Sequence, residues 1–326
     1  MDEYGGYLPL ELVNKEEYYG HCLYPAQRYN TGRTAIYCAL LDCKPSKVFI
    51  PHYICNTVYD LIKSMKIPVE RFFINSKLEP IDLKINSENN EYVLLVNYFG
   101  LMTDFINKGV GRYKNVIIDN TQAFFSEPII RKGVYNVYSC RKFIGVPDGA
   151  YLIGSQLGDF ALERDISYDR YIFLLQAYEQ GTNTAYEKNL ENEKYLNDNR
   201  KLMSILTKKM LNSVDYKLIK NRRRENFNLM HTYFKKINRF HFEQQQQVPY
   251  IYPLLLNNEK VKAKLIENHI YVPTLWKEMI CKEYQNTVEY DFSKHLICLP
   301  VDQRYSTKNI TELCRIVECV LKEGET

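Results

Sequence analysis

The stretch YSCRKFIGVPDGAYLIGS, residues 138–155, decides how the chain is read. VYNVYS, ending at Ser139, reads as a strand. The basic pair Arg141–Lys142 follows, then Gly145, Pro147 and an Asp148–Gly149 turn, and AYLIGS resumes an apolar run. Glycine, proline and an Asp-Gly pair between two β-type runs mark a tight connection at the end of a sheet. Lys142 therefore stands just past a strand end. It is either a loop lysine facing water or an amine aimed into a cleft.

Outward from this stretch, the first half of the chain alternates between two periods. TAIYCALLD (34–42) places Ala35, Ile36, Ala39 and Leu40 on one helical face. KVFIPHYI is a short β-rich run, NTVYDLIKSMK a helix with Val58, Leu61 and Ile62 inward, and VERFFI a further strand. EYVLLVNYFG, NVIID, GVYNVYS and AYLIGS follow. Near-continuous apolar strands separated by helix-period segments predict a mostly parallel sheet covered on both faces. Residues 160–240 hold no strand-like run, and SILTKKMLNSVDY and RRRENFNLMHTYFKKI read as helices. After the glutamine tract at 244–247, a loop by its length, YIYPLLL, IYVPTLW and HLICLPVD are three short apolar runs. STKNITELCRIVECVLKEG is an amphipathic helix with a Ser306 or Thr307 cap. The division expected is a large domain, 1–207, and a small C-terminal α/β domain, 208–326.

Composition narrows the function. The 326 residues are 45% hydrophobic and 25% charged, ordinary values for a globular protein. A net charge of +4 is too mild to point to nucleic acid, and the Arg222–Arg224 run reads first as a solvated helix face. The start, MDEYGGYLPLELV, has no basic region or apolar core of a signal peptide, and YVLLVNYFGLM is too short to span a bilayer. The expectation is a cytoplasmic protein with no membrane or nucleic-acid partner. Nine cysteines without a CxxC give no zinc spacing, so no metal is expected and most thiols should be buried and reduced. The 28 tyrosines have no explanation in the sequence.

Three features sit at expected strand or helix ends. Gly32-Arg33-Thr34 opens the first long helix, where free backbone N–H groups and the dipole favour an anion. Its plain reading is an ordinary capped helix. Asp119, with Gln122 three residues on, follows the apolar strand NVIID at the end where parallel sheets bind ligands. It is either a site carboxylate or a helix cap. Lys142 is the third, since a desolvated lysine loses its proton and becomes a nucleophile. Anion site, carboxylate and lysine are together the parts that pyridoxal phosphate requires: phosphate, pyridine nitrogen and aldehyde each find a partner.

At these residues the chain resembles the DegT/StrS family of pyridoxal-phosphate-dependent sugar aminotransferases. The resemblance runs from GGYLPLEL and TGRTAIYCAL through KVFIPHYICNTV, VLLVNYFG, VIIDNTQAFFS and YSCRKFIGVPDGAYL to HIYVPTLW and LICLPVDQRY. It implies an α/β, three-layer fold-type-I transferase with a mostly parallel central sheet. In that family the aldimine lysine lies seven residues before a Gly-Gly pair; Lys142 precedes Gly149 by seven, with Ala150 in the second place. Lys142, rather than Lys132, is thereby implied as the lysine that carries pyridoxal 5'-phosphate. Asp119 is implied as partner of the pyridine nitrogen, and Gln122 as a group near the ring hydroxyl. Gly32, Arg33, Thr34 and Ser139 are implied at the phosphate, although Ser139 lies three residues before the lysine where relatives commonly have five. Gly181-Thr182-Asn183 resembles the Gly-x-Asn whose asparagine reaches the phosphate from a second subunit, which implies a homodimer with a shared site. The position of the ring-covering aromatic is ambiguous: Cys55 occupies it by count from Pro51, and Tyr53 is favoured on chemistry because an aromatic face suits a pyridine ring.

The activity implied is amino transfer from an amino acid, with glutamate as the expected donor, to a keto-sugar linked to a nucleotide diphosphate, in the setting of surface polysaccharide synthesis. Arg33, Arg141 and Arg304 are candidates for the anionic groups. A sugar dehydratase of the same fold would carry a histidine in place of Lys142. A non-catalytic paralogue would keep the fold without the chemistry. A dinucleotide-binding fold lacks support, because no GxGxxG follows the first strand.

Overall fold

A computed structural model of the chain describes residues 4–20, 23–242, 246–258 and 260–323. Cys22 and part of the glutamine tract, Gln244 and Gln245, lie outside the described residues. The central sheet is built from β1 (Ala26–Tyr29), β2 (Lys47–Pro51), β3 (Val69–Phe72), β4 (Glu91–Val96), β5 (Val116–Asn120), β6 (Val134–Ser139) and β7 (Ala150–Gly154). Their order is β1-β7-β6-β5-β4-β2-β3. β3, β2, β4, β5 and β6 are parallel, and β7 runs antiparallel to both its neighbours, β6 and β1. The sheet is thus mostly parallel, as the alternating periods predict. Every residue of β5, β6 and β7 is buried, which is why those strands read as unbroken apolar runs.

The register fixes the site. Asp119 pairs with Val137 in β6, and Ser139 pairs with Ala150 in β7. The carboxyl ends of β5 and β6 and the turn into β7 therefore open on one edge of the sheet. That turn needs its glycine: Gly149 has φ +124°, and a Cβ there would stand 3.2 Å from both Cys140 Sγ and Thr207 Cγ2. Its N–H donates to Asn30 O at 2.7 Å, tying the lysine turn to the segment that leads into the first helix.

That helix, α1 (Gly32–Cys43), packs on β6 and β7 through Ala35, Ile36, Ala39 and Leu40. Thr31 caps it by accepting from Thr34 N at 3.0 Å. α2 (Asn56–Ser64) buries Val58, Leu61 and Ile62, and α3 (Thr103–Arg112) follows β4. Then come α4 (Ile172–Gln180), α5 (Tyr186–Asp198) and α6 (Ile205–Leu211). α4 buries no residue, and its Leu175 and Tyr178 stand exposed.

A second core lies in α7 (Tyr216–Phe234), β8 (Ile251–Leu255), α8 (Lys260–Glu267), β9 (Leu296–Pro300) and α10 (Thr307–Glu323), whereas α9 (Val288–His295) packs its Phe292 into the core of the central sheet. Phe227, Phe234, Leu254, Leu299, Ile310 and Val317 fill the second core. Each large apolar side chain there contributes roughly 1.5–3 kcal/mol by leaving water. The 207/208 division falls inside α6 (Ile205–Leu211), and the first buried side chain of the second core is Phe227 on α7. Two of the three short apolar runs become strands and the third does not. β8 and β9 form a two-stranded antiparallel sheet, but IYVPTLW is irregular. Pro273 cannot donate to a ladder, and Trp276 turns left-handed at φ 47° to pack its ring 4.2 Å from that of Tyr53.

The tyrosines also find places. Tyr19, Tyr138 and Tyr151 join Phe124 and Phe143 in a core beneath the lysine turn, with Tyr19 and Tyr138 rings 4.7 Å apart. The thiols depart from the expectation. Cys38, Cys140, Cys298 and Cys314 are buried and free, but Cys55, Cys281 and Cys319 are exposed.

Candidate active site

The three sequence features meet around a residue that none of them included, Thr121. It follows Asp119 and Asn120 at the end of β5. Lys142 Nζ donates to Thr121 Oγ1 at 3.4 Å, a long and weak contact. Asp119 Oδ1 accepts from Thr121 N at 2.9 Å. A Cβ on Gly32 would stand 2.9 Å from Thr121 Cγ2, so the first turn of α1 packs directly against it. Lysine, carboxylate and helix N-terminus therefore share one neighbour. A threonine two residues past a strand-end aspartate was the only sequence signal for it.

Lys142 is buried. Its ammonium has lost its water, which pulls its pKa below the ordinary lysine value; the charges of Asp119 and Cys55 act the other way, and Arg141 adds to the lowering. Asp119 is 5% exposed. Lys142 Nζ also lies 5.7 Å from the centre of the Tyr250 ring. A cleft of about 470 Å³ opens in front of it, lined by Ser139, Arg141, Arg223, Tyr250, Tyr271 and Arg304 among others.

The remaining expected residues divide. Gly32 and Arg33 hold the first turn of α1 beside Thr121, and Ser139 lines the cleft next to Lys142. Thr34 is turned inward: its hydroxyl donates to Asn30 Oδ1 at 2.8 Å and it is 1% exposed. Gln122 is also inward, its Oε1 accepting from Phe99 N at 2.8 Å. That bond steadies a residue held at φ 60°. The preference for Tyr53 as the ring-covering side chain is corrected. Tyr53 is fully buried among Trp276, Tyr98 and Phe292, whereas Cys55 is exposed, and its thiol is among the groups that act on both Lys142 and Arg33. Asn183 sits on an exposed turn after α4, where its Nδ2 donates to Tyr271 OH at 2.6 Å.

The candidate arginines differ in what they already hold. Arg141 is paired with Glu193 of α5; burial, reinforced by Arg33, pushes its pKa down to about 10. Arg304 grips Asp302 through two bonds of 2.7 and 2.9 Å. Arg33 is half-buried, loses pKa chiefly to burial, and has no hydrogen-bond or ion-pair partner among the described residues. No group of three or more potential metal ligands occurs among the described residues, and no helix there is long and apolar enough to cross a membrane.

An amine whose pKa is lowered by desolvation is more often free to act as a nucleophile and a base than an ordinary lysine. A carboxylate close by can hold a proton on a ligand nitrogen, and the α1 terminus can hold an anion. No protein-family model matches the chain, and no curated protein matches it. Solved structures do. The aminotransferase TlmJ from Streptoalloteichus hindustanus is similar at TM-score 0.63 and 13% identity, over 92% of this chain and 87% of that one. Spr1654 from Streptococcus pneumoniae, in its PLP form, is similar at 0.61 and 13%, over 93% and 88%. The sugar aminotransferase CalS13 from Micromonospora echinospora is similar at 0.59 and 13%, over 90% and 87%. The chain has the fold of these aminotransferases, which a DegT/DnrJ/EryC1/StrS aminotransferase from Brucella abortus also shares with it at TM-score 0.56 and 13% identity.

Proposed function

We propose that the chain is a pyridoxal-phosphate-dependent aminotransferase of the DegT/StrS type, moving an amino group from an amino acid to a keto-sugar. The observation that carries this is the convergence of Lys142, Asp119 and the α1 N-terminus on Thr121. The residues present fit the cofactor: Lys142 is a desolvated amine, Asp119 is a carboxylate near it, and α1 begins with a glycine that leaves room. Pyridoxal phosphate, when bound, supplies an aldehyde that links to amines and a ring that withdraws electrons from them.

The chain's own residues do the rest. Backbone N–H groups of Gly32 and Arg33, with the Ser139 hydroxyl, hold the phosphate. Asp119 keeps a proton on the pyridine nitrogen. Lys142 would hold the cofactor, and its amine would be the base that takes a proton from the donor's α-carbon. Cys55 lies on the side of the site where the family places an aromatic. Arg33, unpaired among the described residues, is the guanidinium best placed to accept an anionic group of donor or sugar nucleotide.

Glutamate as donor, a nucleotide-linked keto-sugar as acceptor and a cytoplasmic setting in polysaccharide synthesis complete the reading. A second copy of the chain covers the exposed Leu175, Tyr178 and Tyr186 of the α4–α5 hairpin and brings its Asn183 to the phosphate. The test is a half-reaction. Protein loaded with pyridoxal phosphate and freed of excess cofactor is mixed with each amino acid, and the oxo-acid released is measured. One equivalent of 2-oxoglutarate per site from glutamate is expected, followed by amination within a panel of keto-sugar nucleotides. Absence of oxo-acid from every amino acid would sink the reading.

A further inference from the structure

The Arg222–Arg224 run reads in sequence as a solvated face, yet Arg223 is 2% exposed. It sits on α7, and each of its side-chain hydrogen bonds goes to the lysine turn or to the segments that meet it. Its Nη2 donates to Lys142 O at 3.4 Å. Its Nη1 donates to Pro249 O at 3.2 Å and Tyr250 O at 3.0 Å. Its Nε donates to Gln303 Oε1 at 3.1 Å, and Gln303 Nε2 donates in turn to Phe143 O at 2.8 Å. The guanidinium carbon lies 4.5 Å from the centre of the Phe143 ring. Arg223 lines the cleft, but four of its five N–H donors are engaged by the protein, so most of its fork is committed to holding backbone rather than to a ligand.

We infer that Arg223 and Gln303 are positioning residues for Lys142, holding the backbone carbonyls of Lys142 and Phe143 from the C-terminal part of the chain and so setting where the amine stands. The inference rests on the lysine being the reactive amine proposed above. Its physics is simple. A lysine amine hangs on a flexible four-carbon stem, so its place depends on how firmly its backbone root is held. A guanidinium offers five donors in a rigid fork and can serve several carbonyls at once, which an ammonium cannot. The same fork links the turn to Tyr250, whose ring faces Lys142 Nζ. Through it, a shift of α7 or of the segment after β9 moves the amine against Asp119 and Thr121.

The test reads the amine directly. Competitive acetylation of the full-length, cofactor-free protein across a pH series, followed by peptide mass spectrometry, gives the reactivity and titration midpoint of Lys142, with exposed Lys132 as internal control. The ionisable groups acting on Lys142 are Asp119, Cys55 and Arg141, and all stay in place in the variants. Arg223→Lys keeps the charge and loses the fork; Gln303→Ala removes one half-buried amide and is the milder change. Both should alter the Lys142 labelling rate at least threefold relative to Lys132 and move its midpoint towards that of an ordinary lysine. Both should also slow covalent capture of added pyridoxal phosphate by about tenfold. Should Arg223→Lys fail to fold, Gln303→Ala decides alone. A folded variant whose Lys142 rate and midpoint match the wild type overturns the inference. Failure of the wild type to capture the cofactor would instead strike the proposed function, and the labelling would still judge the clamp.

Discussion

Replacing Gly149 by alanine should be costly, and the structure says by how much. The residue sits at φ +124°, where an L side chain is strained whatever the space, and that strain costs about 1–3 kcal/mol. The added Cβ would also press on Cys140 Sγ at 3.2 Å, Thr207 Cγ2 at 3.2 Å and Cys140 Cβ at 3.3 Å. None is the loose end of a long side chain: Cys140 is fully buried and Thr207 Oγ1 donates to the buried Asp148. Overpacking of this kind costs about 1–3 kcal/mol more. Against both stands a gain of about 0.4–1 kcal/mol from a less flexible unfolded chain. The net loss expected for Gly149→Ala is about 1–5 kcal/mol, centred near 3. Urea unfolding of the cofactor-free protein, followed by tyrosine fluorescence and far-ultraviolet circular dichroism, measures it. Gly111→Ala is the matched control: it lies in α3, nothing stands within 4 Å of its Cβ position, and its φ is ordinary, so the helix should gain about 0.5–1 kcal/mol. If Gly149→Ala is within about 0.5 kcal/mol of the wild type, the claim that this turn is held in a glycine-only conformation is wrong.

Other outcomes follow from single side chains. His52 is stacked on Phe73 at 4.3 Å with a buried, unpartnered Nδ1, and burial with Arg71 nearby lowers its pKa to about 4. The unfolded chain then binds one more proton than the folded one between about pH 6.5 and 4, so stability is full above that window and falls as pH drops through it; after discounting for partial exposure the loss is roughly 1–2 kcal/mol. His52→Leu should flatten unfolding free energy across that range, and an unchanged slope would count against it. Thr121→Val removes the hydroxyl beside Lys142 Nζ while keeping the shape against Gly32. It should weaken pyridoxal phosphate binding severalfold in equilibrium dialysis while leaving stability within about 1 kcal/mol. Cys55 should react with iodoacetamide in the cofactor-free protein, and loading with pyridoxal phosphate should slow that reaction at least fivefold relative to exposed Cys281. Equal rates with and without cofactor would place Cys55 outside the site.

The sheet was legible because its strands are buried on both faces. VIID and VYNVYS could be read as strands from apolar continuity alone, and α1 from the spacing of Ala35, Ile36, Ala39 and Leu40. The placement of Lys142 and Asp119 on one edge of the sheet was legible because each stands at or just past the end of an apolar strand. What escaped depends on contacts made far along the chain. IYVPTLW has the apolar content of a strand, but Trp276 is claimed by Tyr53, more than two hundred residues earlier. Tyr53 and Cys55 are both polar-capable residues just past β2, and only the packing of Trp276 and Phe292 shows which one turns inward. Arg223 looks solvated because its neighbours are arginines; its burial is compensated by carbonyls of Lys142, Pro249 and Tyr250, none of them close in sequence. Thr34 and Gln122 sit where site residues were expected, but Asn30 and Phe99 N take up their hydrogen bonds.

The central claim is that Lys142 is the amine that carries the cofactor. Purified protein mixed with pyridoxal phosphate, reduced with borohydride and digested, shows by mass spectrometry where the cofactor became attached. The account predicts a single stoichiometric adduct on Lys142, a visible absorbance band before reduction, and neither in Lys142→Ala. Attachment spread over surface lysines such as Lys132, or an undiminished band in Lys142→Ala, would contradict it.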